Sequence, residues 1–472
     1  MTLKRFALFF IFLFPLAYLS YLNRHFQLDD ALIYMRYLKN FFDGHGLVYN
    51  KNEFFNALTS PLYTYLSIIT SFLTGNIQTA SICLSAILMG SSLTIFTLLF
   101  SRFERIYFVL VGALMMVCFP YFYATYGMET PLFIFLIGLC IYLFETKKYH
   151  FLGMACALLL LTRGEGIFLM LAMAIEHFRQ KRAFPKKSYF IIPVLILAGQ
   201  YLVNKLYYGA FLPNSLFAKI QQGASGLWPG FLEVNYLFAN YFDSNYLLLL
   251  GLVTLATCGV LMLGLRSLNV IVLCFLIPYG IFYYFLKIPN YHWYYAPFFA
   301  FCFFYAGPGV ALLVRRCRRI NNTFIRSSGL LTIWLVVILM LTWNFVSARS
   351  FAARNGLYMP YYSIGLWLNQ NTPADSTVAA VEIGAIGFYS ERYIIDILGL
   401  VTPHNAAFVG EKRFGEWLKH YSPDYILAHD PLTPQEVGVS ATLAQRRYVE
   451  DTRFNFPGYQ LYTPGRKPGV KP

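Results

Sequence analysis

Two adjacent carboxylates, Asp29 and Asp30, directly follow the first hydrophobic segment of the chain. Neighbouring carboxylates at a membrane surface repel each other and bind no lipid tail. They therefore indicate a general base, a metal ligand, or a solvated cap on a helix that begins at Ala31. The pair by itself does not distinguish the cap from a reactive site.

Other segments between hydrophobic runs also carry polar side chains. We take eight of them as candidate substrate-binding residues: Arg36, His45, Glu129, Arg163, Glu165, Asn214, Lys219 and His292. Cations beside carboxylates at a lipid surface suit a phosphate-bearing substrate. Arg163 and Lys219 could equally just extend their charges to the water interface, and His292 could be an interfacial residue packed in an aromatic stretch.

The composition shows where such a site must be held. Of 472 residues, 58% are apolar and 12% are charged, whereas soluble proteins average about 45–50% and about 25%. The sequence therefore predicts a polytopic α-helical membrane protein. We expect about eleven transmembrane helices, in the hydrophobic runs 6–22, 79–100, 106–124, 131–144, 151–162, 167–177, 189–203, 246–265, 270–286, 295–314 and 328–346.

Basic residues decide the orientation of these helices. The net charge of +15 comes from Lys and Arg clustered between hydrophobic runs, as cytoplasmic loops require, so no nucleic-acid partner follows from it. The run at 61–74 fits this charge pattern as an interfacial helix and not as a crossing. The N-terminus, read as an uncleaved anchor, is then cytoplasmic, and the first external loop is 23–78.

The remaining external segments follow from that arrangement. They are 125–130, 162–166, 204–245, 287–294 and everything after 347. A single helix over 151–177 would place Arg163 and Glu165 near the bilayer centre, where charge is costly. We therefore predict a break at Gly164 and Gly166. All candidate site residues then lie on the external side.

The last segment is large enough to be a domain. We predict a transmembrane catalytic domain, 1–347, and a soluble extracytoplasmic α/β domain, 348–472. Within the latter, residues 361–369 and 414–420 are expected as helices, and 377–381, 393–397 and 425–428 as strands. The tail after Pro457 is expected to be mobile. The eight cysteines lie in or beside apolar runs and predict neither disulfides nor a zinc site.

Several motifs resemble the GT-C glycosyltransferases, nearest to the terminal arabinofuranosyltransferase-like group. The resemblance spans nearly the whole chain. It rests on residues 28–37 (LDDALIYMRY), 44–50 (GHGLVYN), 58–62 (LTSPL), 127–132 (GMETPL), 162–166 (TRGEG), 212–215 (LPNS) and 394–403 (IIDILGLVTP). Gly164 replaces the proline that is usual in the TRPEG motif of that group.

This resemblance implies an integral-membrane enzyme that takes a sugar from a polyprenyl-phosphate carrier on the extracytoplasmic face. Asp29 or Asp30 would be the catalytic base in a single inverting displacement, with a weak preference for Asp29. The acceptor would be a cell-envelope glycan, lipid or protein, and the location the inner (plasma) membrane. Whether a divalent metal ion assists stays open, with Asp30 and Glu129 as candidate ligands.

Two other classes of function compete with this hypothesis. A polyprenyl-linked lipid or glycan transporter or flippase would bury polar residues near the bilayer centre and show repeated halves, and we find neither pattern. A purely structural membrane protein would leave the acidic external loops unexplained. The sequence therefore favours a transferase, with the transporter as the alternative.

Overall fold

The computed structural model describes residues 2–182, 186, 188–354, 359–444 and 448–465. Helices form in all eleven predicted hydrophobic runs, and seven of the described helices are long and apolar enough to cross a membrane. The main helices are α1 (Thr2–Leu22), α4 (Ile77–Phe100), α5 (Ile106–Val117), α7 (Thr130–Glu145), α8 (Tyr149–Thr162), α9 (Gly166–Lys181), α10 (Ser188–Tyr208), α13 (Tyr246–Leu263), α14 (Ser267–Phe285), α15 (Ala296–Arg318) and α16 (Thr323–Arg354). The chain is thus a multi-pass α-helical membrane protein, and the number of crossings stays a prediction.

Shorter helices lie between these segments. They are α2 (Asp29–Phe42), α3 (Pro61–Thr74), α6 (Pro120–Ala124), α11 (Asn214–Ser225), α12 (Asn235–Phe242) and a 3-10 turn, His292–Tyr295. Helix α3 has the predicted bounds, because the Ser60 side chain caps its start and Pro61 occupies its first turn.

The run 106–124 is not one helix as predicted. Helix α5 ends at Val117, and α6 begins at Pro120. The residue before a proline is disfavoured in the helical region, and Phe119 is accordingly extended. The predicted break between α8 and α9 is present, with Arg163 and Glu165 in the short connection.

Small residues let the central helices approach closely. A Cβ atom on Gly259 of α13 would overlap the backbone of Tyr305, and one on Gly309 of α15 would overlap the backbone of Leu255. Small residues at helix contacts are the usual means of tight packing in membranes, where no hydrophobic force draws helices together. The α13–α15 pair is therefore a fixed central element of the bundle.

The C-terminal region contains a five-stranded sheet in the order β2-β1-β3-β5-β4. Strands β1, β2 and β3 are parallel, and β5 joins them antiparallel. The elements are α17 (Met359–Asn371), β1 (Thr377–Ala380), α18 (Gly384–Ser390), β2 (Tyr393–Asp396), α19 (Asn405–Gly410), α20 (Trp417–His420), β3 (Tyr425–His429), the 3-10 turn Pro434–Glu436, α21 (Val437–Ala444), β4 (Tyr448–Glu450) and β5 (Tyr459–Pro464). The α/β class predicted for this region is present.

Three details of this region differ from the prediction. Helix α16 continues to Arg354, past the boundary predicted at 347. The helix expected over 414–420 is only the four residues of α20. The tail expected to be mobile contains β5, which pairs with β3 because Leu461 and Tyr462 bury their side chains against the sheet. Residues 466–472 lie outside the described part of the chain.

The predicted orientation is open to a direct labelling test. Ser244, between α12 and α13, and Ala374, before β1, are exposed on the predicted external side, and Asn321 is exposed on the predicted cytoplasmic side. Cysteine at Ser244 or Ala374 should react with an impermeant maleimide in intact cells, whereas cysteine at Asn321 should react only after lysis. Labelling of Asn321→Cys alone in intact cells would invert the topology.

Candidate active site

Asp29 and Asp30 are the first two residues of α2, whose N-cap position is Leu28. The proposed cap on a helix starting at Ala31 is therefore wrong, because the helix already includes both carboxylates. The helix dipole still stabilises their negative charges at the N-terminus of α2. Successive helical residues point about 100° apart, so the two side chains have different surroundings.

Asp29 is bound to the C-terminal region. Its two oxygens accept hydrogen bonds from the backbone amides of Gly384 (2.8 Å) and Ala385 (2.7 Å). Burial raises the pKa of Asp29 to about 6, although the two amide bonds oppose this shift. A Cβ atom at position 384 would overlap the Asp29 backbone, so glycine is required there. Asp29 thus joins α2 to the start of α18.

Asp30 faces open space instead. It lies in the lining of two cavities, one of about 250 Å³ and one of about 530 Å³. Its carboxylate oxygen is 3.9 Å from the Lys219 Nζ atom, and 29% of its side chain is exposed. Of the described residues, Trp293 is the other one that lines both cavities. Asp30 is therefore placed where molecules in the two cavities would meet.

The first cavity has a polar end and an apolar wall. The polar end is formed by Asp30, Glu129, Arg163, Glu165 and Lys219. The wall consists of side chains from α8, α10, α11 and α14, namely Leu160, Leu161, Leu197, Tyr201, Leu216 and Phe282. Helix α10 presents most of its surface outward, because only 11% of its segment Ile191–Tyr208 is buried. The cavity thus combines charge at one end with surfaces suited to a lipid chain.

Arg163 is committed to neighbouring side chains. Its guanidinium donates to Glu129 (2.8 Å), Glu165 (3.1 Å) and the Tyr283 hydroxyl (3.0 Å). Tyr34 donates to the other oxygen of Glu129 at 3.2 Å. Arg163 and Glu129 are 4% and 2% exposed. This buried network holds together the loops before α7 and α9.

The two carboxylates share one guanidinium charge unequally. Burial raises the pKa of Glu129, with Arg163 opposing it. Burial also acts to raise the pKa of Glu165, but Arg163 and the Tyr283 hydroxyl outweigh it and hold this pKa below its usual value. One guanidinium thus serves two carboxylates, while its Nε–H has no hydrogen-bond partner among the described residues.

Lys219 is less firmly held. Its ammonium lies 3.8 Å from the centre of the Tyr291 ring, and this ring stacks against Trp293 with 4.6 Å between ring centres. An ammonium over aromatic faces is stabilised by their quadrupoles. The 3.9 Å separation from Asp30 is longer than a hydrogen bond. Lys219 is therefore a cation in the cavity that can still bind an anion.

The second cavity is lined mostly by aromatic rings. His292 lies in it beside Tyr236, Tyr241, Tyr291 and Trp293, and its Nε2 atom is buried with no hydrogen-bond partner among the described residues. Asp29 and Asp30 supply the carboxylates, and the described lining contains no lysine or arginine. This cavity suits uncharged rings with hydroxyl groups.

Three predicted substrate-binding residues lie outside the open space of both cavities. Arg36 is buried and donates to the carbonyls of Tyr49 and Arg392. His45 is exposed on the loop after α2. Asn214 donates to the carbonyls of Gly399 (2.8 Å) and Leu400 (3.0 Å). Arg36 and Asn214 therefore position the framework of the site and do not face its space.

The first external loop is joined to the C-terminal sheet. Asn50 exchanges hydrogen bonds with the backbone of Ile394, and the Tyr49 hydroxyl donates to the Ile383 carbonyl. Lys39 pairs with Glu391. These contacts give the GHGLVYN motif a structural role. Sequence reasoning did not select Tyr34 and Ser215, which lie inside quoted motifs, or Tyr291 and Trp293, which flank His292. It also missed Tyr283, which lies outside all of these segments.

The sequence left open a divalent metal ion, with Asp30 and Glu129 as candidate ligands. Within the described ranges, no group of three or more His, Cys, Asp or Glu side chains is arranged to hold a metal ion. The Glu129 oxygens are engaged by Arg163 and Tyr34, and metal binding by Asp30 and Glu129 stays a prediction.

Solved structures show which known fold this chain has. ArnT from Cupriavidus metallidurans, bound to undecaprenyl phosphate, superposes with a TM-score of 0.65 over 97% of both chains at 11% identity. Its apo form gives 0.58 over 92% of this chain and 93% of that one, at 12% identity. This chain has the ArnT fold. The expected GT-C-like architecture is thereby confirmed.

Sequence comparisons match parts of the chain. The terminal beta-(1->2)-arabinofuranosyltransferase of Mycobacterium tuberculosis is 24% identical over an alignment of 275 residues, and the match covers 52% of this chain. The match spans 42% of that relative's length. A family described as a domain of unknown function (DUF8728) matches residues 351–465. This part of the chain contains the five-stranded sheet.

Proposed function

We propose that this protein is an integral-membrane glycosyltransferase that moves a sugar from a polyprenyl-phosphate donor to a glycan acceptor. One observation carries the proposal: Asp30 lies where two cavities meet, with Lys219 beside it. A transferase needs a base between its two substrates and a cation near the leaving phosphate. Both are present here at one point.

The donor occupies the first cavity in this proposal. The apolar side chains of α8, α10 and α14 would contact the polyprenyl chain, and the polar end would receive the phosphate and sugar. ArnT, which has the same fold, was solved with undecaprenyl phosphate bound. Among the cations at the polar end, Lys219 has the free capacity for the phosphate, whereas Arg163 is paired with two carboxylates.

The acceptor occupies the second cavity. Aromatic side chains there offer faces for sugar rings, and His292 with Asn240 can bond to hydroxyl groups. A glycan is favoured over an anionic acceptor because Asp29 and Asp30 contribute negative charge and the described lining has no lysine or arginine to balance it. A lipid or protein that carries a terminal sugar would present the same group to this cavity.

The reaction is a single displacement. Asp30 takes the proton of the acceptor hydroxyl as its oxygen attacks the anomeric carbon of the donor sugar. The bond from that carbon to the phosphate oxygen breaks on the opposite face, and polyprenyl phosphate leaves with the electron pair. Inversion at the anomeric carbon follows. Lys219 offsets charge that grows on the leaving phosphate.

The proposal also includes the location of the protein. The site lies at the predicted external face of the inner membrane, with the N-terminus in the cytoplasm and the C-terminal sheet region outside. The C-terminal region, proposed as a domain over 348–472, then contributes Gly384, Ala385 and Leu400 to the site.

A transfer assay with purified protein tests the proposal. In detergent, the protein should move radiolabelled sugar from decaprenyl- or undecaprenyl-phosphate-arabinose, or a related pentose donor, onto an envelope-glycan fragment, and the label should become water-soluble. A deletion strain should lack the corresponding terminal sugar by mass spectrometry of its surface glycans. Vesicle experiments that show lipid translocation without any new glycosidic bond would instead favour the transporter.

A further inference from the structure

Helix α11 begins at the polar end of the first cavity without a side-chain cap. Its N-cap position is Pro213, and no side chain accepts from its first amides. The first four amides of a helix have no intrahelical carbonyl to bind. The Asn214 amide is satisfied by the Asn56 carbonyl at 2.7 Å. Pro213, Ser215 and Leu216 all line the cavity, so the next amides start beside it.

Ser215 supplies an independent observation that points to a ligand. Its side chain is 5% exposed, and its Oγ atom has no hydrogen-bond partner among the described residues. A buried hydroxyl without a partner costs free energy, so an unfilled one beside a cavity indicates a group that is supplied by a bound molecule. The Ser215 hydroxyl can donate to an acceptor atom of such a ligand.

The charge of that ligand follows from Lys219. Residues 215 and 219 are four positions apart in α11, so they occupy the same face of the helix. Lys219 lines the same cavity, and its nearest carboxylate, Asp30, is beyond hydrogen-bond distance at 3.9 Å. A hydroxyl, an ammonium and a positive helix end on one face form a binding site for a small anion with several acceptor oxygens.

We propose that the N-terminus of α11, Ser215 and Lys219 together bind a phosphate group, which is the phosphate of the lipid donor. This rests on the proposed function, and it assigns a role to Ser215 of the LPNS motif, which the sequence alone did not select. Ser215 is a binding residue for the phosphate, Lys219 neutralises its charge, and the backbone amides complete the site.

The C-terminal region positions this phosphate site. Asn214 holds the start of α11 against the carbonyls of Gly399 and Leu400, and α11 also packs along α19. Leu400 itself lines the cavity. The segment 394–403 therefore positions the start of α11, which links this motif of the C-terminal region to the motifs of the membrane helices.

Direct binding measurements test the site without any sugar transfer. Undecaprenyl phosphate and undecaprenol, which lacks the phosphate, are titrated into the full-length protein in detergent. Binding is followed by tryptophan fluorescence or native mass spectrometry. Ser215→Ala should weaken the binding of undecaprenyl phosphate about tenfold, and Lys219→Met should weaken it about ten- to a hundredfold, as expected for lost bonds to a charged group. Undecaprenol should bind all three proteins equally, because it does not use the site.

Two matched variants control for damage to the helices. Ser225→Ala removes a hydroxyl from the other end of α11, where it donates to the Gln222 carbonyl, and Lys205→Met removes an exposed cation of α10 that donates to the Gly209 carbonyl. Both should bind undecaprenyl phosphate as the unaltered protein does. Millimolar inorganic phosphate should compete with the lipid in the unaltered protein and lose this effect in Ser215→Ala, which shows that the phosphate group is what is recognised.

The failures of the two proposals are distinguishable. Unchanged undecaprenyl phosphate affinity in both Ser215→Ala and Lys219→Met would overturn the phosphate site, even if the protein transfers sugar. Equal weakening of undecaprenol would also overturn it, since the variants would then act on the lipid chain or on folding. A protein that binds undecaprenyl phosphate through these residues but forms no glycosidic bond would refute the transferase and leave the phosphate site standing.

Discussion

Asp30→Asn should lower the kcat of sugar transfer at least about a hundredfold with normal expression, as expected when a general base is lost. A sugar hydroxyl is a poor nucleophile at neutral pH, so a carboxylate must take its proton as the new bond forms. Asparagine keeps the shape of the side chain and its capacity to form hydrogen bonds but does not accept that proton. Single-turnover rates with saturating donor measure the loss.

Asp29→Asn is the matched control, because it makes the same change one residue earlier. Both oxygens of Asp29 accept backbone amides, and an asparagine NH₂ would face one of these amides with no acceptor. Losing that bond should cost about 1–3 kcal/mol of stability, visible as a lower unfolding temperature, while most turnover is kept. The opposite pattern, with Asp29→Asn inactive and Asp30→Asn active, would restore the original preference for Asp29. Full activity in both would place the base elsewhere.

Arg163→Ala should reduce the free energy of unfolding by about 3–5 kcal/mol, the range found when one partner of a buried ion pair is removed. The substitution would leave Glu129 and Glu165 buried beside each other without their shared cation. A direct contact between Arg163 and the donor phosphate would instead predict donor use weakened by about ten- to a hundredfold. The buried network instead makes folding the primary effect.

Thermal unfolding in detergent, read by fluorescence-detected size exclusion, separates these outcomes. Arg354→Ala is the control, because Arg354 pairs with Asp243 near the surface and is 39% exposed, so its loss should cost about 1 kcal/mol or less. Adding Glu129→Gln to Arg163→Ala should recover part of the stability by removing a buried charge. A stable Arg163→Ala protein whose only defect is a raised donor KM would return Arg163 to the phosphate.

The sequence by itself determined the helical framework and the class of the C-terminal region. Long apolar runs must satisfy their backbone hydrogen bonds internally in a bilayer, and helices do so within one segment. The positions of the long hydrophobic helices could therefore be predicted from local sequence, except that the run 106–124 divides before Pro120. The same holds for the break at Arg163, because buried charge in mid-membrane is costly, and for β1, β2 and β3, whose apolar residues are local signals.

The tertiary structure alone decided which polar residue does what. Adjacent side chains on a helix diverge by about 100°, so only the packing of α2 against α18 shows that Asp29 is bonded and Asp30 open. Arg163 has the same local sequence whether paired or free, and its pairing depends on Glu129, 34 residues away. Strand β5 needs β3 as a partner, and the unpaired hydroxyl of Ser215 is defined only by what surrounds it. Such long-range contacts leave no periodic pattern in the chain, which is why the site residues could be named but not assigned.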